Sequence, residues 1–214
     1  DGPQILSVAQ QRLPRIYLEH NTPKPNAINT QHPIDDPNVL LVHVTHFNRL
    51  MWDNGRTPTV VVEHSVAIDP HAVYTGALER GITVVNGPHR RPRIAGWDIF
   101  QHTQATIPLD LAGMQTEEFG GLGDIPYRDL HRRVAEYRFL FSPMRYTSLP
   151  LAVIEGLMIG MPVVALATTE LPTVIENSVT GYVSCNMDTL IDGMQHLLAD
   201  PADAQRMGRN ARAL

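Results

Sequence analysis

The chain has 214 residues, 43% of them hydrophobic, and a formal net charge of −5. That is enough for one large or two small domains with a real core, and the acidic balance argues against a non-specific nucleic-acid binder, which is normally basic. No run approaches the roughly 18 apolar residues of a membrane span, no start resembles a signal peptide, and the single cysteine, Cys185, excludes an internal disulfide. A reducing compartment, and so a cytoplasmic location, is the expectation, with Cys185 as a small buried hydrophobe. The chain begins at Asp1 rather than Met, as a processed chain or a fragment would.

In chain order, "RIYLEH" (15–20) and "NVLLVHVTHF" (38–47) are predicted strands ending in His-rich loops. Between them "NTPKPNAINTQHPIDDPN" is a loop of turn residues. "PTVVVEHSV" (58–66) is a third, Val-rich strand, and "DPHAVYTGALERG" (69–81) is a connection. From residue 82 strands and helices alternate. "GITVVNG", "PLDLAGM", "FLFSP", "MPVVALA" and "TGYVSC" are strands, while "GWDIFQHTQATI", "PYRDLHRRVAEYR", "LPLAVIEGLMIG" and "ELPTVIEN" are helices. "MDTLIDGMQHLLAD" and "PADAQRMGRNARAL" close the chain as helices. Continuous apolar strands joined by helices imply right-handed crossovers and a parallel sheet covered on both faces. Ligands on such sheets bind at the carboxyl ends of the strands. The sequence has no internal repeat, no CxxC or HExxH metal pattern, no GxSxG elbow and no Walker loop.

Glu155 is the one carboxylate in the apolar run "LPLAVIEGLMIG". It could sit on a solvated helix face, where lone carboxylates usually lie. Its position also allows a second role. A helix that follows a parallel strand points its free N–H groups at the ligand crevice, and residues 147–151 would supply them. Two turns in, a carboxylate offers two acceptor oxygens, which suits the vicinal hydroxyls of a ribose.

The run beginning at residue 139, "FLFSPMRYTSLPLAVIEGLMIGMPVVALATTELPTVIENSVTGYVS", resembles the donor-binding signature of the GT-B glycosyltransferases, specifically retaining family 4. Glu155 falls on the second of that signature's two glutamates. Gly156, Gly160, Pro162, Val163, Val164 and Ala165 fall on its turn and strand, Pro172 and Ile175 on the next element, and Thr180, Gly181, Tyr182 and Val183 on the last. "LLADPADAQRMGRNAR" is similar to the family's closing helix, and weaker similarity reaches back to residue 58. The implied fold is α/β of GT-B type: a Rossmann-like parallel sheet at 76–214 that binds a nucleotide sugar, preceded at 1–75 by a shortened or truncated N-terminal Rossmann-like, acceptor-side segment.

The resemblance implies that Glu155 holds the ribose and that backbone N–H groups around Leu149 and Leu151 face sugar and diphosphate. Arg90, Arg91 and Arg93 stand where the family has its diphosphate-binding basic pair, and Arg145 is a further phosphate contact; arginine suits phosphate because its fork binds two oxygens at once. Gly123, Asp124 and Ile125 fall where the family's loop touches the nucleobase. The sequence departs from the family at four points. The first glutamate is Thr147, a Gly-Gly pair falls on Thr169 and Glu170, a loop lysine on Ala95, and Pro150 removes one backbone donor.

The resemblance also implies an acceptor-side histidine near the donor sugar, for which His20 is the candidate, a structural histidine bonding a loop carbonyl being the alternative; Thr147 is the other catalytic candidate. Strand alternation would put His43 and His46 on opposite faces, so with His64 they are not taken as a metal cluster. The expected activity is transfer of a hexosyl or other sugar from a nucleotide-diphosphate donor to an unknown acceptor, with retention and with neither metal nor cofactor. The alternatives are a non-catalytic nucleotide-sugar-binding or scaffolding relative, or a nucleotide-sugar epimerase. Partners would be the nucleotide sugar and the acceptor. Peripheral membrane contact and homo-oligomerisation are open, the latter because a short first sheet would expose apolar surface.

Overall fold

A computed structural model of the chain describes residues 6–213. The chain divides into two compact units, Asp1–Ser65 and Val66–Leu214.

The first unit holds a three-stranded parallel sheet of β1 (Arg15–Glu19), β2 (Val39–His43) and β3 (Thr59–Val61), in that spatial order. β1 alternates as a strand should: Ile16 and Leu18 face out, while Glu19 is buried. Helix α1 (His46–Met51) links β2 to β3. Here the structure corrects the sequence expectation. The apolar alternation of "VLLVHVTHF" predicts a strand to residue 47, but β2 stops at His43. The Thr45 hydroxyl then accepts the Asn48 N–H at 3.1 Å and caps the helix. His46 is therefore the first residue of a helix, and the strand argument that separated it from His43 does not apply.

The second unit is a five-stranded, all-parallel sheet. Its strands are β4 (Leu78–Val84), β5 (Leu109–Ala112), β6 (Tyr137–Ser142), β7 (Val163–Leu166) and β8 (Gly181–Ser184), in the order β5-β4-β6-β7-β8. β4 begins inside the stretch expected to be a connection. The helices are α2 (Pro92–Ala95), α3 (Trp97–Gln104), α4 (Tyr127–Val134), α5 (Leu151–Ile159), α6 (Leu171–Val174), α7 (Met187–Ala199) and α8 (Pro201–Arg212).

Every residue of β6 is buried, and its side chains alternate between two cores. Leu140 joins Ile82, Val153, Leu157, Val163 and Leu171 on one face. Phe139 and Phe141 join Phe100, Leu109, Val164, Leu190 and Met194 on the other. A central strand covered on both faces has no use for polar alternation, which is why "FLF" and "VVAL" are apolar throughout. Arg138 is the exception on β6. It is 4% exposed, and its guanidinium donates to the carbonyls of Gly76 (2.8 Å), Leu197 (3.2 Å) and Leu198 (3.0 Å). The last two carbonyls belong to the C-terminal turn of α7, where a cation meets the negative end of the helix dipole. Cys185, expected to be buried, is exposed just past β8.

The strand order makes the β4–β6 junction a topological switch point. The chain leaves β4 for β5 on one side, then returns to build β6, β7 and β8 on the other. Such points leave a crevice at the carboxyl ends of the two strands.

Candidate functional site

A crevice lies at that switch point. Its walls are Thr83, Val84 and Val85 at the end of β4, the Leu140–Met144 stretch at the end of β6, and Pro150, Ala152 and Val153 at the start of α5. The Thr83 hydroxyl donates to the Phe141 carbonyl at 2.9 Å and ties the two strands together at its floor.

Helix α5 starts without a side-chain cap, because its N-cap is Pro150. The Val153 and Ile154 amides turn back to the Pro150 carbonyl. Those of Leu151 and Ala152 donate to no acceptor among the described residues, as the first turn of a helix dictates. The positive end of a nine-residue helix therefore opens at the crevice. Leu151 is 53% exposed, whereas Leu149 is partly buried and packs against the apolar core.

The loop from β6 to α5 is held from two sides. The Arg145 N–H donates to the Ile94 carbonyl at 2.9 Å, and the Thr168 hydroxyl donates to the Met144 carbonyl at 2.9 Å. Gly96, between α2 and α3, has φ +70, and a Cβ there would overlap the Pro143 carbonyl. Only glycine allows this approach. Thr169 sits where that signature has glycine, yet its backbone keeps the left-handed φ of 53. A β-branched residue there is strained.

Glu155 faces α4. Its Oε1 lies 3.3 Å from the Tyr127 hydroxyl and 3.6 Å from Nε2 of His131, and its side chain is 12% exposed. It is neither a freely solvated carboxylate nor one sealed in the core. Burial, and then the neighbouring carboxylate, raise the Tyr127 phenol above its ordinary value.

Arg145 is already engaged. Its Nη1 and Nη2 donate to the two oxygens of Asp98 at 2.6 and 2.7 Å, and Arg93 donates to the same carboxylate at 2.8 Å. The Arg145 hydrogen bonds hold the Asp98 carboxyl down at about 2. Arg90 and Arg91 are exposed on the loop after β4 and form no ion pair among the described residues. Gly123, Asp124 and Ile125 follow β5. The Gly123 carbonyl accepts the Gly113 N–H at 2.8 Å, Asp124 is exposed, and Ile125 packs on the core. Thr147 is half-buried in the loop before α5. The candidate donor residues thus all lie on connections that leave the carboxyl ends of β4, β5 and β6, or within α5.

His20 belongs to the first unit and is exposed just after β1. The polar cluster there is built on its neighbour. Glu19 Oε1 accepts the Asn21 N–H at 2.6 Å, and its Oε2 lies 3.2 Å from Nε2 of buried His32. His32 Nδ1 in turn accepts the Ile34 N–H at 3.0 Å. Burial alone would raise the Glu19 carboxyl; the donors from His32 and Asn21 outweigh it, and the net shift is downward.

Sequence reasoning missed Asp98, His131 and the Glu19–His32 pair. A signal existed for His131, since Tyr127, His131 and Val134 recur at spacings of four and three and so share one face of α4.

Residues 114–214 match the family model described as glycosyl transferases group 1. No curated protein matches the sequence. Among solved structures, sucrose-phosphate synthase from Thermosynechococcus elongatus superposes with a TM-score of 0.62 at 20% identity, over 81% of this chain and 52% of that one. The protein titled TarM gives 0.63 at 14% identity, over 95% and 47%. HepE of Anabaena, solved with UDP, gives 0.68 at 15% identity, over 94% and 67%. The chain spans about half the length of the first two. No helix among the described residues is long and apolar enough to cross a membrane. The fold is that of the GT-B glycosyltransferases, and residues 114–214 carry their group 1 signature.

Proposed function

We propose that the chain binds a nucleotide-diphosphate sugar in the β4–β6 crevice and takes part in transferring the sugar to an acceptor hydroxyl. The observation that supports this best is the open N-terminus of α5 at the switch point, with Glu155 farther along the same helix. In this reading the Leu151 and Ala152 amides and the Arg90 and Arg91 guanidinium groups receive the diphosphate. They stabilise the charge that builds on it as the bond from sugar to phosphate oxygen breaks. Glu155 accepts two ribose hydroxyls, the Gly123–Ile125 loop meets the base, and the Thr147 hydroxyl meets the sugar. His20, in the first unit, is the acceptor-side candidate. Retention and independence of metal belong to the same proposal, as does a cytoplasmic location. UDP, present in the HepE structure, is the first probe.

The test is thermal shift and calorimetry with UDP, GDP and ADP on the wild type and Glu155→Ala. A nucleotide that binds only the folded chain raises Tm by mass action. Loss of the carboxylate should weaken it at least tenfold, since hydrogen bonds to a charged group are worth about 1.5–3 kcal/mol. A folded chain that binds none of them overturns the proposal. Two features favour a second reading, a nucleotide-sugar binder without turnover: Thr147 brings no charge to the sugar, and Asp98 occupies the Arg145 fork. Binding intact with no transfer to any acceptor would select it.

A further inference from the structure

We infer that His131 is a positioning residue for Glu155: a neutral imidazole whose Nε2–H fixes the carboxylate for a vicinal diol of the ligand. The inference rests on the nucleotide site proposed above.

His131 is 2% exposed, yet its Nε2 has no hydrogen-bond partner among the described residues. Its tautomer follows from the other nitrogen. Nδ1 accepts the Asp69 backbone N–H at 3.0 Å, and an amide can only donate, so the ring proton sits on Nε2. Asp69 is itself held. The Arg132 Nε donates to its Oδ2 at 2.6 Å, and its Oδ1 accepts the His71 N–H at 2.9 Å. The Tyr127 ring stands edge-on against the imidazole, 4.9 Å between centroids at 74°. The imidazole is clamped on two sides and aims its one proton at Glu155 Oε1, 3.6 Å away.

Tyr127 does not serve that oxygen as well as its distance suggests. Its hydroxyl lies 2.8 Å from the Ala67 carbonyl and 3.3 Å from Glu155 Oε1. It has one proton for two acceptors, so the longer contact to Oε1 is a shared one. Among the described residues the other donor close to Oε1 is the His131 Nε2–H. Closing the gap to the usual N–H···O length takes roughly 0.7 Å. Rotation of a carboxylate about its terminal torsion is soft and supplies such a movement cheaply. Once Oε1 is held by His131, Oε2 is fixed in direction and can accept hydroxyls of a ligand. Until then a buried N–H stays unpaired, which is unfavourable.

The test compares UDP with 2′,3′-dideoxy-UDP, whose affinity ratio reports the diol contact alone. Glu155→Ala should abolish the wild-type preference for UDP. His131→Asn keeps an acceptor for the Asp69 N–H but has no donor that reaches Glu155, and should cut the preference about fivefold to tenfold with dideoxy affinity unchanged. His131→Gln restores a donor near the Nε2 position and should regain most of it. If Glu155→Ala abolishes the preference and His131→Asn keeps all of it, the role of His131 is refuted and the ribose reading stands. If Glu155→Ala keeps the preference, or the wild type binds neither probe, the site reading itself fails. A variant-free readout guards against misfolding. In the wild type the His131 Hε2 resonance should move downfield on adding UDP and not dideoxy-UDP; a resonance that does not move overturns the inference.

Discussion

Gly208, in α8, packs against the backbone of Gly160, the residue that ends α5 with φ +90. A Cβ at 208 would overlap the Gly160 carbonyl oxygen and sit 3.0 Å from Tyr74 Cδ1. The first obstacle is backbone, so no rotamer change relieves it, and α5 and α8 must separate. Overpacking of this kind costs about 1–3 kcal/mol. Against it stands the helix propensity of Ala over Gly, about 1 kcal/mol. Gly156, in α5, provides the control. A Cβ there meets Leu140 Cδ2 at 3.2 Å and Met161 Cγ at 3.5 Å, both side-chain atoms able to give by a few tenths of an ångström. The propensity gain is the same at both positions and cancels in the comparison. Gly208→Ala should therefore be less stable than Gly156→Ala by about 2 kcal/mol, with Gly156→Ala near or above the wild type. The chain has two tryptophans, Trp52 and Trp97, one in each unit. Urea unfolding in a Trp52→Phe background, followed by Trp97 fluorescence, reads the second unit alone and should show unchanged m-values. If the two variants agree within about 0.5 kcal/mol, the steric argument at the α5–α8 crossing is wrong.

Other outcomes are expected from the same assay. Arg138→Met leaves the Gly76, Leu197 and Leu198 carbonyls without their charged donor and should cost about 2–4 kcal/mol in the second unit. Thr169→Gly should add about 1 kcal/mol by relieving the left-handed backbone; no gain would mean that the loop is unstrained. Arg145→Gln should let the Asp98 carboxyl climb from about 2 toward its ordinary 3.8, read by carboxyl NMR, while stability falls by about 1 kcal/mol at most, because the pair is partly exposed. In the first unit, read by Trp52 in a Trp97→Phe background, the depressed Glu19 carboxyl adds stability that is fully present above its ordinary 4.5. That stability is lost as pH falls through the lower folded value, so Glu19→Gln should flatten this acid limb. Burial depresses His43 below 6.5, so a separate loss beginning as pH drops under 6.5 should survive Glu19→Gln.

The second unit was legible because its strands are buried on both faces and its helices are ended by residues with a mechanical role. "FLF" and "VVAL" are continuous apolar runs, as strands buried on both faces are, and Gly160 closes α5 at the point where the signature places a glycine. The first unit was less so. There the pattern of "VHVTHF" carries the expected strand past its end at His43 and over the Thr45 cap, which is written in the sequence as a Thr three residues before Asn48.

Charge was the least legible property, because a pattern of residues shows which groups are present and not which are already engaged. Arg90, Arg91, Arg93 and Arg145 are equivalent on the page as phosphate ligands. Folding separates them. Asp98, which lies 47 residues from Arg145, takes the Arg145 fork and draws in Arg93, leaving Arg90 and Arg91 with uncommitted guanidinium groups. In the proposed site a diphosphate would meet those two without breaking an ion pair, whereas recruiting Arg145 would mean breaking a bidentate one. The same sorting applies to Glu155. It is one carboxylate in the sequence, but in the fold its two oxygens differ. Oε1 is turned toward the α4 side chains, so what the carboxylate could offer the proposed ligand is set by residues that no local motif includes.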